Sequence, residues 1–519
     1  MTPQNPHNGV MPFIAPKLGR RAALVVAFIV LLAPTGQAQV PYRINGIKAP
    51  QVQPNPVAAK LEAQLNSVKA ELEARATTTN LQQAIEAGLL NNPSLAETYA
   101  QIQGSQWNLI AVRRQWYPSL TLSPGAGGSA LAQGFSTTTT AGPSTNGSNA
   151  TTYRNATDAG VTFSLGWTFF DPSRGAQINA AGESLKQQQL LFDVSARQLV
   201  LDIQQAYFNL QEQSQLITAY RDILAGSSRQ VDLTEAQFNN GLASIADVEQ
   251  IRTQQYSTLS TLINAYRQLL VGSARLAQTM ALPPGTLVLP ADGLRAQGSW
   301  DQPLQATIAQ ALALREEIKA SLAGAASASW AATGLFNAYW PVFSLGTSGT
   351  YDSANTTGGQ PGASLSTNSR SLSWNGGVGI GFNWALFDGG IKAANAEASR
   401  AQARQLNERA AFERLTVSRE VEEAYTSYLT SQLGMQSAAE QARAARQAAV
   451  AVLERFSVGA TDMNTVVTTL NAAILAANAY ATAVRSYNSA VATLYRSSAR
   501  WPDGTQTLLE QRVGALKRQ

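Results

Sequence analysis

"GWTFFDPSRG" runs from Gly166 to Gly175, and a second stretch, "NWALFDGGI", runs from Asn383 to Ile391. Both contain the pattern Trp-x-x-Phe-Asp, formed by Trp167, Phe170 and Asp171 and again by Trp384, Phe387 and Asp388. Each pattern ends an apolar stretch and precedes a long segment without proline. A motif that returns with its surroundings predicts two copies of one structural unit.

The residues before each motif alternate between apolar and small or polar side chains. The apolar positions are Val161, Phe163, Leu165, Trp167 and Phe169, and then Val378, Ile380, Phe382, Trp384 and Leu386. Period-two alternation with one wholly apolar face is typical of a membrane β-strand. The run "GGVGIGF" also resembles a phosphate-binding loop, but the alternation continues through it, so a strand is favoured.

Other segments repeat at the same distance. "QQAYFNL" from Gln204 matches "EEAYTSY" from Glu422, and "FNNGLASIADV" from Phe238 matches "FSVGATDMNTV" from Phe456; both pairs lie 218 residues apart. The order of matches is kept, so we predict two repeats, 81–282 and 304–500, joined by a linker at 283–303.

Each repeat has the same predicted plan. Short helices lead into a strand pair, at about 118–171 and about 341–388, whose strands are joined by polar loops at roughly 124–158 and 349–372. A long helical hairpin follows, with a glycine turn near 241 in the first repeat and near 459 in the second.

The longest helices show a seam of residues three and four apart. The first seam comprises Ala196, Leu199, Ile203, Ala206, Leu210, Gln213, Ile217, Tyr220 and Leu224; the second comprises Val417, Val421, Ala424, Tyr428, Ser431, Met435, Ala438, Ala442, Ala445, Ala449, Val452 and Phe456. This spacing predicts coiled-coil packing. A helix from Arg174 to Asn239 would be about 100 Å long at ~1.5 Å per residue.

The N-terminal segment resembles an export signal. "KLGRR" precedes the apolar run "AALVVAFIVLLAP", which is too short for a spanning helix of ~20 residues. We predict that residues 1–38 are a signal peptide cleaved after Ala38, with an uncleaved anchor as the alternative. Cleavage removes Lys17, Arg20 and Arg21 and no acid, so the formal net charge falls from +5 to +2. With no Lys/Arg run interleaved with aromatics either, no nucleic-acid partner is predicted.

The composition excludes several kinds of catalytic site. The 519-residue chain has no cysteine, and its one histidine, His7, lies in the predicted signal. Zinc sites built on His and Cys, Ser-His-Asp triads and Cys-His nucleophiles are therefore excluded, and no cysteine can accept a lipid. No convergent pair of acids is visible. We predict neither catalytic residues nor a metal or cofactor, and hence no enzyme.

Four membrane strands cannot close a barrel alone, and bilayers do not tolerate lipid-exposed strand edges. Two, three or four copies would supply eight, twelve or sixteen strands, where at least ~8 are needed. An exported barrel protein points to an outer membrane, with the helical rods in the periplasm and the polar loops outside. Aromatic residues would then mark the membrane interface where strands meet helices. They are Trp116, Tyr117, Trp167, Phe170, Tyr339, Trp340, Trp384 and Phe387.

With these features, residues 81–500 resemble a TolC-type outer membrane factor of the outer membrane efflux protein family. The resemblance implies a mixed α and β membrane protein that trimerises into a 12-stranded β-barrel continued by a periplasmic α-helical barrel. It also implies a passive exit duct, gated at the periplasmic helix tips, for small molecules or unfolded proteins. Its partners would be a periplasmic adaptor and an inner-membrane transporter, either an ABC exporter or a proton-driven pump. Efflux and type I secretion both remain open. The alternatives are a non-transporting helical scaffold, a cell-surface coiled-coil protein or, least favoured, an outer-membrane enzyme.

The glycine turns are the main candidate site. Gly241 and Gly459 stand where a helix must reverse, and glycine readily supplies a positive φ. They could be hairpin glycines and nothing more. The resemblance implies that Asn240, Gly241 and Leu242, with Val458, Gly459 and Ala460, also contact the adaptor.

The constriction departs from the family pattern. Where well-known members carry two aspartates beyond the second turn, this chain has Thr465 and Thr468. Asp462 lies three residues closer to the turn, and Asp247 lies at the corresponding place in the first repeat. A ring of acidic side chains from either one is therefore a hypothesis.

The flanking segments are less informative. Residues 39–80 begin Pro-rich and then carry Leu61, Leu65, Val68 and Leu72 at heptad spacing. This spacing predicts a helix, which either packs on its own barrel or acts as a docking arm. No role is predicted for the tail, 501–519. Asp171 and Asp388, just before the long helices, are predicted to cap free backbone N–H groups.

Overall fold

The computed structural model of the protein describes residues 56–124, 131–140, 150–359 and 367–517. The predicted signal peptide, 1–38, and the Pro-rich segment after it lie outside these ranges. All elements described below belong to the unit Pro54–Gln519.

Ten helices lie in the described ranges. They are α1 (Pro56–Arg75), α2 (Leu81–Asn91), α3 (Pro93–Arg114), α4 (Arg174–Asn239), α5 (Ile245–Thr279), α6 (Leu304–Leu314), α7 (Glu316–Asn337), α8 (Ile391–Ser457), α9 (Met463–Ser497) and α10 (Thr505–Leu516). The helices α4 and α8 have 66 and 67 residues, and each forms a hairpin with a 35-residue helix, α5 or α9.

The predicted seams on the long helices are confirmed. On α4, Gln213 is half-buried and the other eight seam residues are buried; on α8, no seam residue is exposed. The first long helix has the bounds that the sequence predicts, Arg174–Asn239. The helix α9 is long and apolar enough by length and composition to cross a membrane, with a mean hydropathy of 1.3 in its most apolar window. Its buried side chains, however, pack on α8 and α4 within the bundle.

Seven strands lie in the described ranges: β1 (Ala76–Thr79), β2 (Ser119–Pro124), β3 (Leu131–Thr140), β4 (Ala150–Phe170), β5 (Leu287–Pro290), β6 (Val342–Gly359) and β7 (Thr367–Asn383). The main sheet is antiparallel in the order β2-β4-β6-β7, and β3 also pairs with β4. Pro124 pairs with Val161 and Leu131 with Ala159, so β2 and β3 occupy one strand position in succession. Five strands thus fill the four predicted positions.

The polar loops predicted at 124–158 and 349–372 are wrong in extent. The strand β3 and the first part of β4 lie in the first segment, and β6 and β7 continue into the second. These residues have no apolar face, so the alternation that reveals the membrane part is missing. Backbone pairing with the neighbouring strand keeps them extended, and β-branched threonine suits a strand. At the other end β7 stops at Asn383, before Trp384 and Leu386.

Smaller elements pack against the long helices. The strand β5, in the segment predicted as a linker, pairs in parallel with β1. Leu61 and Leu65 of α1 pack against the main apolar core, so this helix lies on its own protomer. The tail forms α10, with Leu509 and Leu516 buried in the same core. For the heptad segment, the contacts of Leu61 and Leu65 favour a helix that packs on its own barrel over a docking arm.

Buried ion pairs fasten the short helices to the long ones. Arg315, at the start of α7, bonds Glu317 and Glu420 through its guanidinium nitrogens at 2.9 Å each. Arg197 of α4 forms a bidentate pair with Glu316, at 2.8 and 3.1 Å, and stacks on Trp501.

Candidate channel entrance and membrane junction

The two helical hairpins turn in the same way. At the first turn, Gly241 N–H donates to the carbonyl of Phe238 at 2.9 Å and Leu242 N–H to that of Gln237 at 2.8 Å. At the second, Gly459 N–H donates to Phe456 and Ala460 N–H to Arg455, at 3.0 and 2.9 Å. Both are Schellman motifs, which need a left-handed residue after the helix. Gly241 and Gly459 supply it, with φ of 75° and 73°.

The tips present apolar side chains to solvent. Leu242 is 79% exposed and Val458 is 77% exposed. Behind the tips, one apolar cluster joins the two hairpins and includes Val231, Ile251 and Phe456. Farther along, Gln254 of α5 donates to Asn471 of α9 at 3.0 Å. The two turns therefore lie at the same end of the bundle.

Both candidate acids take part in helix caps. Ser244 caps α5, and its backbone and hydroxyl both donate to Asp247. Asp462 caps α9, where it accepts from the backbone N–H and the hydroxyl of Thr465 at 2.8 and 2.9 Å. Each helix start thus has a hydroxyl bonded to a carboxylate three residues away. At the first turn the hydroxyl belongs to the cap residue, and at the second turn the carboxylate does. Asp247 thus corresponds to Thr465, and Asp462 to Ser244.

The Asp462 carboxylate keeps its charge. Hydrogen bonds from the Thr465 backbone and then its hydroxyl hold the pKa of Asp462 below its usual value, and the side chain is exposed. Thr468, one turn farther along α9, is also exposed, but its hydroxyl bonds the carbonyl of Asn464 at 2.8 Å. An acidic side chain is therefore present close to each turn, at different positions along the two helices.

At the opposite end of the long helices, the motif Trp-x-x-Phe-Asp joins sheet and helix. The indole N–H of Trp167 donates to the carbonyl of Trp116, and that of Trp384 to Tyr339, both at 2.9 Å. The same bond thus fixes the end of each strand hairpin onto the preceding helix.

The acid of the motif holds the helix start. The Asp171 carboxylate accepts from the backbone and hydroxyl of Ser173, and Asp388 accepts from the backbone of Gly390 and Lys392 at 2.9 and 3.1 Å. The Lys392 backbone bond, chiefly, lowers the pKa of Asp388. The predicted capping role of both acids is confirmed.

A cation follows each acid and lies over a junction aromatic. The guanidinium of Arg174 is 4.5 Å from the ring centre of Trp116, and the ammonium of Lys392 is 5.2 Å from that of Tyr339. Each also donates to a main-chain carbonyl, Thr168 or Ala338. Among the other predicted aromatics, Tyr117, Trp340 and Phe387 are exposed, and Phe170 packs on Phe343.

A second aromatic line lies farther along the sheet. Tyr351 of β6 pairs with Trp374 of β7, and the Trp374 ring covers Gly349. On β7 the exposed apolar face runs from Leu372 to Phe382. These ten steps span about 34 Å along the strand, or about 26 Å across a bilayer at a tilt of ~40°, close to the ~25 Å apolar band of membrane barrels. Sequence reasoning missed Tyr351 and Trp374, although the alternation through Val378 continues to them.

The other face of the sheet is small and polar. Thr121 bonds Ser164 at 2.7 Å, and Thr162 bonds Thr350 at 3.0 Å. The stretches 119–124, 161–170, 342–351 and 372–383 contain no ionisable side chain except Tyr351, which lies on the apolar face. No group of three or more acids or histidines placed to hold a metal occurs among the described residues.

A sheet with a lipid face, a polar face and two free edges, set on paired rods, defines the protomer of an oligomeric membrane channel. The sequence profile of the outer membrane efflux protein family matches residues 84–282 and 307–500, so the chain belongs to this family. The two matched ranges agree with the two repeats. No curated protein sequence matches the chain significantly.

Solved structures with the same fold are outer-membrane channels. The OprN channel is 20% identical, with a TM-score of 0.61 over 81% of this chain and 90% of its own. CmeC of Campylobacter jejuni is 15% identical, with a TM-score of 0.64 over 84% and 89%. MtrE of Neisseria gonorrhoeae, in its open state, is 16% identical, with a TM-score of 0.58 over 81% and 89%.

Family membership settles the assembly and the class of protein. The protein is a trimeric outer-membrane efflux channel with a periplasmic part, in which a β-barrel continues into a helical barrel. Three copies of four strand positions give twelve strands. Members of the family are ducts that work with adaptor and pump components and are not enzymes.

Proposed function

We propose that the protein is the passive exit duct of a tripartite assembly, gated at its periplasmic helix tips. The polar sheet face carries this proposal: it becomes the barrel lumen, and across the apolar band it offers hydroxyls and glycines without fixed charge. Such a wall gives no strong site at which a solute would be held. The energy for transport would come from an inner-membrane transporter.

Conductance tests this proposal. Trimers reconstituted in a planar bilayer should conduct, and Gly379→Arg should reduce the current, because Gly379 lies on the lumen face with nothing within 4 Å of an added side chain. Ile380→Val, on the lipid face, is the matched control and should leave the current unchanged. A protein that does not conduct even with the periplasmic tips removed would indicate a scaffold instead.

We further propose that Asp247 and Asp462 form the charged periplasmic constriction, with Thr465 and Thr468 lining it. Asparagine is as good an N-cap as aspartate, so Asp462→Asn removes charge and keeps the cap. Asp247→Asn combined with Asp462→Asn should abolish block by divalent cations and lower cation selectivity. Ser257→Ala, at an exposed position on α5, is the control. Undiminished block in the double variant contradicts the proposal.

The exposed tips are the proposed adaptor contact. Asn240, Gly241 and Leu242, with Val458, Gly459 and Ala460, present a bare apolar surface on a rigid turn. Leu242→Glu with Val458→Glu should abolish crosslinking to the adaptor while the trimer persists. Identification of the pump captured with that adaptor separates two outcomes: an ABC exporter indicates type I secretion, and a proton-driven pump indicates efflux.

Export by a cleaved signal peptide is part of the same proposal. The mature N-terminus should begin at Gln39, as measured by N-terminal sequencing of the outer-membrane fraction. A chain that retains Met1 contradicts cleavage.

A further inference from the structure

Just beyond the apolar band, the outward face of the sheet carries a cation. Arg370 of β7 lies two residues past Leu372, on the same strand face as Trp374. Two residues correspond to about 7 Å along the strand, or about 5 Å across the membrane at a tilt of ~40°. Because the helical rods are periplasmic, this end of the strand is extracellular. The guanidinium therefore lies at the level of the outer-leaflet head groups.

Arg370 has no partner within the described part of the chain. It is exposed and makes no ion pair or hydrogen bond with any described residue. Most of the buried and many of the exposed arginines of the helices pair with carboxylates, as Arg315 and Arg419 do. A cation kept on a lipid-facing wall without an internal acid is free for an external anion.

The surface around Arg370 has the chemistry of a sugar and phosphate contact. Asn355 is its cross-strand partner, and Thr157 follows in the same row on β4. In the next row, Thr357 pairs with Asn368. This face therefore offers amide and hydroxyl groups and has no acid on β6 or β7 beyond the Tyr351–Trp374 line.

The acid of β6 lies on the opposite face. Asp352 lies on the lumen face, where a Cβ added at Gly160 would be only 2.0 Å from its carboxylate oxygen. The outward face is therefore positive where the lumen face carries a carboxylate. This separation favours an anionic molecule outside the barrel wall.

We propose that Arg370 and the Thr157–Asn355–Arg370 row bind the phosphorylated sugar head group of an outer-leaflet glycolipid. A guanidinium forms two parallel hydrogen bonds with a phosphate, and the neighbouring amide and hydroxyl groups suit sugar hydroxyls. Threefold symmetry gives three such sites around the barrel. The long polar extensions of β4, β6 and β7 would form the wall on which the sugar portion lies.

Lipid retention by the intact trimer tests the proposal. Wild type, Arg370→Gln and Arg370→Lys trimers are titrated with bisphosphorylated lipid A and with its dephosphorylated form, and bound lipid is counted by native mass spectrometry. Arg370→Gln should bind the bisphosphorylated form about 5- to 10-fold more weakly, which corresponds to about 1–1.4 kcal/mol at about 1.4 kcal/mol per tenfold change. The same variant should bind the dephosphorylated form as wild type does.

Controls separate this contact from other effects. Arg229→Gln removes an exposed arginine near the C-terminal end of α4, far from the sheet, and should leave lipid binding unchanged. Arg370→Lys should retain part of the affinity through its charge. Equal retention by Arg370→Gln and wild type overturns the proposal, as does an equal loss for both lipid forms. Displacement of the lipid by millimolar inorganic phosphate alone would assign the site to a free anion and also overturn it.

Discussion

At the residue scale, backbone conformation decides the turns more than side-chain contacts do. Gly241 and Gly459 have positive φ, yet an added Cβ would meet nothing within 4 Å at either. The glycines are required by conformation and not by space. That requirement was readable in the sequence, because each glycine stands where a long predicted helix must reverse.

Alanine at these turns should therefore destabilise the hairpins through backbone strain alone. Gly241→Ala and Gly459→Ala should each lower the free energy of unfolding by about 1–2 kcal/mol, the penalty of the left-handed conformation. Thermal unfolding of the trimer measures the effect. Gly434→Ala is the matched control: it lies within α8 with no atom nearby, so the variant should be unchanged or more stable by up to about 1 kcal/mol. Equal destabilisation by all three substitutions would contradict the account.

The half-buried carboxyl of Asp193 should make stability depend on pH. Burial, and then the Glu316 carboxylate, raise the pKa of Asp193 to about 6 from 3.8, against the opposing effect of Arg197. Because the folded pKa lies above the unfolded one, the contribution of this group is fully present below about pH 4 and is lost as the pH rises through 6.

Asp193→Asn should remove that dependence. The variant should unfold at a higher temperature than wild type at pH 7.5, and its advantage should shrink towards pH 4.5. Unfolding curves at several pH values between these limits check it. Ser195→Ala changes a neighbouring residue that does not titrate and should leave the pH profile of wild type intact. An advantage that is constant with pH would mean that packing, and not ionisation, is responsible.

At the element scale, the structure depends on buried ion pairs that periodicity does not reveal. Arg315 is 3% exposed and links α7 to Glu420 of α8 and to the carbonyl of Ser497 in α9. Its partners are far apart in sequence, so no local pattern indicates them. The long helices themselves were predictable, because a seam of residues three and four apart is a local property.

Loss of Arg315 should therefore be costly. Arg315→Met leaves Glu317 and Glu420 close together with Arg496 as their remaining cation. The expected loss is about 3 kcal/mol in the free energy of unfolding, typical of a broken buried pair. Arg419→Met removes an exposed pair with Glu423 and should change stability by less than about 1 kcal/mol. Denaturant unfolding of both variants measures the difference; similar small losses would show that the Arg315 cluster contributes little.

At the scale of the whole molecule, we expect one face of α8 to be covered in the trimer. Phe412, Leu415, Leu429 and Leu433 are between 45% and 72% exposed in the protomer. At 100° per residue they fall within about a third of the helix circumference. An exposed apolar stripe of this length is normally covered by another chain.

Leu433→Glu should accordingly weaken the trimer. Placing a charge within the covered stripe should shift the protein towards monomers, as measured by light scattering after chromatography. Leu242→Glu puts the same charge on an exposed leucine at the tip and should leave the trimer intact. A stable Leu433→Glu trimer would show that this stripe faces the adaptor, the lumen or solvent instead.

The sequence alone determined the elements that depend on local spacing. Period-two alternation identified the membrane strands, spacing of three and four identified the rods, and the repeat at 218 residues identified the duplication. These signals exist because a side chain's direction follows from its position along a strand or helix. The capping role of Asp171 and Asp388 was also readable, since it depends on residues immediately beside them.

Only the tertiary structure decided what depends on distant partners. It extended β4, β6 and β7 beyond the bilayer, where cross-strand hydrogen bonds hold residues that lack an apolar face. It showed that Asp247 bonds the cap residue Ser244, whereas Asp462 is itself the cap residue of its helix. It also placed Arg370 on the outward wall without a partner among the described residues. The physical reason is the same in each case: pairing register and burial are set by chain segments far away in sequence, which local pattern cannot specify.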